Sequence, residues 1–121
     1  MTTVTCLSDH RRRRRPFFSR VELDLLLQLY SRQVMRGLWR DYAIDQRDGA
    51  ASFSVFRHSL ESPLYTVVKT APDASRHCYA LVHRRVRLAT GSTLQDVLTR
   101  LEREIRRGGG LAAAVGVLAS P

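Results

Sequence analysis

Between Trp39 and Lys69 the chain alternates polar and apolar residues, breaks at an Asp-Gly pair and alternates again: WRDYAIDQRDGAASFSVFRHSLESPLYTVVK. Period-2 alternation sends successive side chains to opposite faces of a strand, and Asp-Gly tolerates the two positive φ angles of a two-residue hairpin turn, so the stretch reads as paired β-structure. Tyr42 and Ile44 alternate with Asp41, Ala43 and Asp45 in the pattern of a half-buried first strand. Beyond the turn Arg47-Asp48-Gly49, Phe53 and Val55 face one way and Ser52, Ser54 and Phe56 the other. Pro63 then opens a third strand, Leu64 to Lys69, where its missing N–H costs little.

Helical patterns bracket this core. Ser19 followed by Glu22 is a capping box, with Phe18 and Leu23 spaced as a hydrophobic staple. The predicted helix runs to about Arg36, where Gly37 supplies a left-handed stop. Leu23, Leu26, Leu27, Tyr30 and Val34 share one stripe facing a core, and Val21, Leu25 and Leu29 form a second row on the other side. After Lys69, Thr70 to His77 contains Pro72 and Asp73 and no apolar residue larger than alanine, the composition of a loop. Cys78 to His83 is a fourth strand, and Val86 and Leu88 either extend it past a bulge at Arg84-Arg85 or form a short fifth. Ser92 and Gln95 make a second capping box for a helix whose stripe is Leu94, Val97, Leu98, Leu101 and Ile105. That helix is expected to end at Gly108-Gly109-Gly110, before a mobile tail.

The order is helix, four or five strands, helix. Short connections make consecutive strands antiparallel, so the expected fold is an α+β meander of four or five strands, with the N-terminal and C-terminal helices packed on one face. Three regions follow: a disordered arginine-rich arm over 1–18, one domain over 19–107 and a flexible tail over 108–121. A chain of 121 residues has room for one such domain.

Charge is where composition matters. The chain holds 20 basic and 11 acidic residues, and every basic residue except Lys69 is arginine. Residues 1–20 carry six Arg and one Asp, so about half of the net +9 sits in a sixth of the chain. Five consecutive arginines repel one another and favour an open arm. Two cysteines are too few for a disulfide framework, which points to a reducing cytoplasmic setting. No run of about eighteen apolar residues exists to span a membrane. Arg14-Arg15-Pro16-Phe17-Phe18 looks like a twin-arginine export signal, but Arg20, Glu22 and Asp24 interrupt the apolar stretch such a signal needs.

Taken together, GLWRDYAID, FSVFR, ESPLYTVVK and the closing helix TLQDVLTRLE resemble the bacterial family called domain of unknown function 2794. The likeness covers Phe17 to about Arg106 and implies kinship without an activity. After Lys69 the family is more basic than the TAPDASRH of this chain.

No constellation fixes a reaction, and neither a catalytic residue, a cofactor nor a metal is expected. Asp41 and Asp45 share a strand face but lie roughly 13 Å apart, beyond the roughly 5 to 9.5 Å at which two carboxylates cooperate on a glycoside. They suit Arg40, Arg47 and Arg57 as ion-pair partners instead. Cys6 and His10 are half a metal site; His77 and Cys78, being adjacent, point to opposite strand faces, with His83 five residues on. Cys78 beside a histidine is a weak nucleophile candidate, and a small thiol filling the sheet is the plainer reading. Gly108 to Gly110 follows a helix and lacks the Lys-Ser/Thr of a phosphate loop.

Two functional expectations remain. Arg11, Arg12, Arg13, Arg14 and Arg15, with Arg84, Arg85 and Arg87, form a nonspecific nucleic-acid or polyanion footprint, unless the arm is simply solubilising. Alternatively, the row Val21, Leu25 and Leu29 is the interface of a homodimer or of a protein partner. Trp39, Phe56 and Tyr65 are candidates for an apolar surface on the sheet face away from the helices, unless the chain's own loops cover it.

Overall fold

The computed structural model describes residues 16–58, 62–73 and 75–115, with side chains through Gly108. Arg11 to Arg15 of the arm and residues 116–121 of the tail lie outside the described residues. Helix α1 spans Arg20–Met35. It starts where the sequence says it should: the Ser19 hydroxyl accepts from the Glu22 N–H at 3.1 Å, and Glu22 Oε1 accepts from the Ser19 N–H at 2.8 Å. It stops at Gly37, whose φ of 77° is open to glycine, with Gly37 N–H donating to Val34 and Leu38 N–H to Gln33, both at 2.9 Å.

Five strands follow as a pure antiparallel meander in the order β1-β2-β3-β4-β5: β1 Asp41–Arg47, β2 Ala50–Phe56, β3 Tyr65–Asp73, β4 Arg76–His83 and β5 Val86–Gly91. Asp48 and Gly49 take φ values of 53° and 74°, the two left-handed positions that the Asp-Gly pair implied. Helix α2, Leu94–Val115, closes the chain.

Three rows of side chains face the helices. The middle row is Ile44, Phe53, Val67, Leu81 and Ala89: Phe53, Val67 and the fully buried Leu81 floor the core, Ala89 packs against it, and Ile44 on the edge strand stays exposed. One outer row, Gln46, Ala51, Lys69, Tyr79 and Gly91, lies toward the Asp48-Gly49 turn, here the near end of the sheet. The other, Tyr42, Val55, Tyr65, His83 and Val86, lies toward the far end. Over these rows α1 lays Leu26 and Leu29, and α2 lays Leu94, Val97, Leu98, Leu101 and Ile105, all buried. The opposite face carries small residues, Ser52, Ser54, Thr66, Val68, Ala80 and Val82, half-buried, with Ser54 and Thr66 hydroxyls 3.0 Å apart.

Several expectations change. Thr70 to His77 is mostly strand: β3 runs to Asp73 and β4 starts at Arg76, with a register shift between Thr70 and Asp73 that accommodates Pro72. Val86 and Leu88 belong to a separate fifth strand, because Arg84 and Arg85 adopt φ values of 49° and 75° and make a tight turn, not a bulge. The cap of α2 sits one residue later than Ser92/Gln95: Thr93 Oγ1 accepts from Asp96 N–H at 3.2 Å, and Asp96 Oδ2 accepts from Thr93 N–H at 3.1 Å. The helix also continues through Gly108 to Gly110 as far as Val115. Strand β1 is an edge and almost wholly exposed instead of half-buried; Tyr42 leans on Tyr30 and Phe53 with ring centroids 4.8 and 5.4 Å away. There the N–H groups of Tyr42 and Gln46 donate to the carboxylate of the preceding residue, Asp41 at 2.8 Å and Asp45 at 2.9 Å. Trp39 and Tyr65 belong to the helix-side core, leaving only Phe56 of that trio on the open face.

The Arg84-Arg85 turn puts L-residues where glycine or asparagine relaxes the backbone. Replacing exposed Arg85 by glycine is therefore expected to raise the unfolding free energy by about 1 kcal/mol, read as a higher urea midpoint at unchanged slope; a lower midpoint would show that the turn is not strained.

Candidate nucleic-acid interface and the cavity beside it

At the near end, residues 16–19 cross the outer row on their way into α1. The Pro16 carbonyl accepts from Gln46 Nε2 at 2.7 Å and the Phe17 carbonyl from Lys69 Nζ at 2.8 Å. Lys69, the chain's single lysine, is only 6% exposed although it is charged. Its second partner is Glu22 Oε1 at 2.7 Å, and its ammonium stands 5.8 Å from the Tyr79 ring centroid. Tyr79 donates its hydroxyl to the other oxygen, Glu22 Oε2. Burial works to raise the Glu22 carboxyl's pKa, but the bonds from Lys69, Tyr79 and Ser19 outweigh it and hold the group below the usual carboxylate range. Burial pushes the Tyr79 phenol up, and its bond to Glu22 pushes it further. A lysine beneath a helix start fits because its single point charge satisfies two oxygens on a slender stem, where a planar arginine fork would not.

At the far end the charges are arranged differently. Arg57 follows β2, Arg84 and Arg85 form the β4–β5 turn, and Arg87 lies on β5. All four are exposed, and no described carboxylate lies within ion-pair distance of them. Five other arginines are matched, Arg47 with Asp45 at 2.9 Å, Arg100 with Glu104 at 2.7 Å, Arg107 with Glu104 at 2.9 Å, and Arg32 with Glu102 and Arg76 with Asp73 at 3.4 Å, whereas Arg20, Arg36, Arg40, Arg103 and Arg106 are exposed without a described carboxylate partner.

Below this rim a cavity of about 330 Å³ opens between the far ends of β2, β3, β4 and α2. Leu38, Trp39, Leu64 and Ile105 form its apolar wall, and Arg57, Arg84, Tyr65, His83 and Glu104 its polar one. His83 Nδ1 lies 2.8 Å from the Leu64 carbonyl, so that nitrogen carries the proton and donates. The imidazole lies against the Tyr65 ring at a tilt of 32°, with centroids 4.8 Å apart. Burial pushes the Tyr65 phenol up, with Glu104 adding to the effect and Arg84 and Arg107 opposing it. Bonds from Arg100 and Arg107 hold Glu104 low.

The proposed footprint thus falls into two places. Arg84, Arg85 and Arg87 do sit together at the far end, whereas the arm joins the body at Pro16 beside Gln46, at the near end. Six strand steps, roughly 20 Å, separate those ends. The row Val21, Leu25 and Leu29 is also split: Val21 is 68% and Leu25 37% exposed, but Leu29 is 3% exposed, buried in the chain's own core. The burial axis of α1 runs through Glu22, Leu26, Leu29 and Gln33, which turns Val34 outward to 39% exposure. Of the two β1 carboxylates, Asp45 pairs with Arg47 as expected, while Asp41 serves the backbone N–H of Tyr42. Cys78 is half-buried on the open face. The cavity was invisible to sequence reasoning, since five elements contribute to it; the one available signal for the Lys69 cluster was a lysine in a chain that otherwise uses arginine.

A five-stranded antiparallel meander with two helices on one face defines the class. The chain matches the family described as protein of unknown function (DUF2794) over residues 16–98. That span exceeds half of its length, and the chain belongs to this family. No curated protein and no solved structure matches it. Among the described residues, no helix is long and apolar enough to cross a membrane.

Removing one partner of the Glu22–Lys69 pair leaves a charge stranded in a nearly dry place, with side-chain exposures of 7% for Lys69 and 15% for Glu22. Lys69→Met is expected to cost about 3 kcal/mol, and adding Glu22→Gln should recover part of that loss; purely additive costs in a double-mutant cycle would show that the pair is not coupled. Glu22 has a depressed folded-state pKa, so its contribution is present above its unfolded value near 4.5 and is lost as pH falls through the folded one. Urea midpoints measured from pH 7 to pH 3 should therefore fall more steeply for the wild type than for Glu22→Gln.

Proposed function

We propose that this protein is a non-enzymatic binding protein that holds nucleic acid nonspecifically, through backbone phosphates, using the arm Arg11 to Arg15 and the hairpin residues Arg84, Arg85 and Arg87. The observation that carries the reading is the far-end cluster: Arg84, Arg85 and Arg87 stand together on one tight turn and the strand that follows it, exposed and with no described carboxylate within ion-pair distance. The net charge of +9 agrees with it. Phosphates on one strand recur about every 3.4 Å, so contacts at both ends of a sheet roughly 20 Å long would follow about six nucleotides without reading any base. Deleting residues 1–15 should leave the fold intact and flatten the dependence of log affinity on log salt, by about 0.9 per lost phosphate contact on duplex DNA. Fluorescence anisotropy with a labelled duplex measures this, and an identical slope in the truncated protein would sink the role of the arm.

A second reading, self-association, is favoured by the exposure of Val21 and Leu25 on one flank of α1, with Phe17 at 67% nearby in sequence. Because Leu29 is in the core, the proposed dimer face is narrower than the three-residue row. Leu25→Glu is expected to yield a folded monomer from a dimer, seen by sedimentation; a wild type that sediments as a monomer at high micromolar concentration removes this reading.

A further inference from the structure

The far-end cavity has the makings of a small-molecule site. Tyr65 is nine-tenths buried, yet its hydroxyl makes no hydrogen bond to any described residue. Trp39, 3% exposed, likewise shows no described acceptor for its indole N–H. Buried phenol and indole groups ordinarily find partners, so two in one cavity wall call for an explanation. Around them the unsatisfied capacity is mostly donor capacity: Tyr65 O–H, Trp39 N–H and the guanidinium groups of Arg57 and Arg84. The one carboxylate present, Glu104, is already held by Arg100 and Arg107. The rest of the lining is apolar, from Leu38, Leu64 and Ile105, and a volume of about 330 Å³ is at the small end of the range for ligand pockets. Arg84 also keeps a left-handed backbone, φ 49°, in a turn where asparagine would be at ease, and such strain gathers at functional positions.

From this we infer that the cavity binds a small amphipathic anion, a compact apolar or aromatic body ending in one carboxylate or phosphate, whose oxygens meet Arg84, Arg57 and the Tyr65 hydroxyl. The site shares Arg84 with the polynucleotide reading, but that reading also uses Arg85 and Arg87, which lie outside the cavity.

The test uses the full chain and three probes sharing one body: naphthalene-2-carboxylate, 2-naphthyl phosphate and uncharged 2-naphthol. Titration is followed by calorimetry and by the fluorescence of Trp39, the only tryptophan. One of the two anions should saturate at one per chain and bind at least tenfold tighter than naphthol, and which anion does so identifies the head group. Arg84→Gln and Tyr65→Phe should each weaken that anion about five- to tenfold, while Arg85→Gln leaves it unchanged but weakens duplex DNA. Circular dichroism establishes that each variant is folded, and Tyr65→Phe keeps the ring that fills the core. Absence of saturable binding by either anion, equal binding of naphthol, or indifference to both Arg84→Gln and Tyr65→Phe would overturn the inference, without bearing on the salt dependence of DNA binding.

Discussion

The fold hangs on one carboxylate. Glu22 closes the capping box of α1, so it is part of the helix; it also takes the Lys69 ammonium and the Tyr79 hydroxyl, so it is part of the sheet. A helix lying on a sheet is otherwise held by nondirectional apolar contact, which fixes distance better than it fixes rotation. The Glu22 bonds select one rotation, and with it the identity of the buried residues. That is why Leu29 is inside and Val34 partly outside, although the spacing of leucines alone would allow the reverse. The arrangement works only because Lys69 returns the bond: a carboxylate buried without a counter-charge would favour its neutral form.

From that anchor, geometry propagates to the other end. Both helices begin over the near end, α1 above Lys69 and Tyr79 and α2 just after Gly91. At the far end Tyr30 meets Tyr42, while Gly108 lies beside the cavity. Where α2 passes Tyr65 the core thins, and the space is bounded by Trp39 and the Arg84 turn instead of being filled. The end tied by the Glu22 bonds and the end that holds the cavity are thus different ends of the domain.

Much of the architecture was legible because it is local. Asp48-Gly49 and Ser19–Glu22 involve residues no more than three apart, and the alternation of Phe53 and Val55 with Ser52 and Ser54 states which face is inside. The misreadings share a cause. Pro72 suggests a loop, yet a register shift near the end of a ladder absorbs a proline; three glycines suggest a stop, yet the helix runs on through them. Two overlapping boxes, Ser92/Gln95 and Thr93/Asp96, are equally good as strings, and only the path of the chain off β5 chooses between them. The site was least legible. Trp39, Arg57, Tyr65, His83 and Glu104 come together across the whole domain, and none carries a local motif. Lys69 stood out as a solitary lysine, but solitude does not say that a residue is buried.

The carboxylates on β1 have a bearing on how this chain survives its own synthesis. Asp41 and Asp45 each satisfy the N–H of the very next residue, so these bonds need no sheet, no helix and no neighbour to exist. They are available to the first hairpin as soon as it forms, while the rest of the ladder is still unmade. A newly formed hairpin ordinarily offers its outer strand to any passing chain. Here two of the donors that such a chain would seek are already occupied, and the molecule that bears them is shielded from sticking to its siblings before it has finished becoming itself.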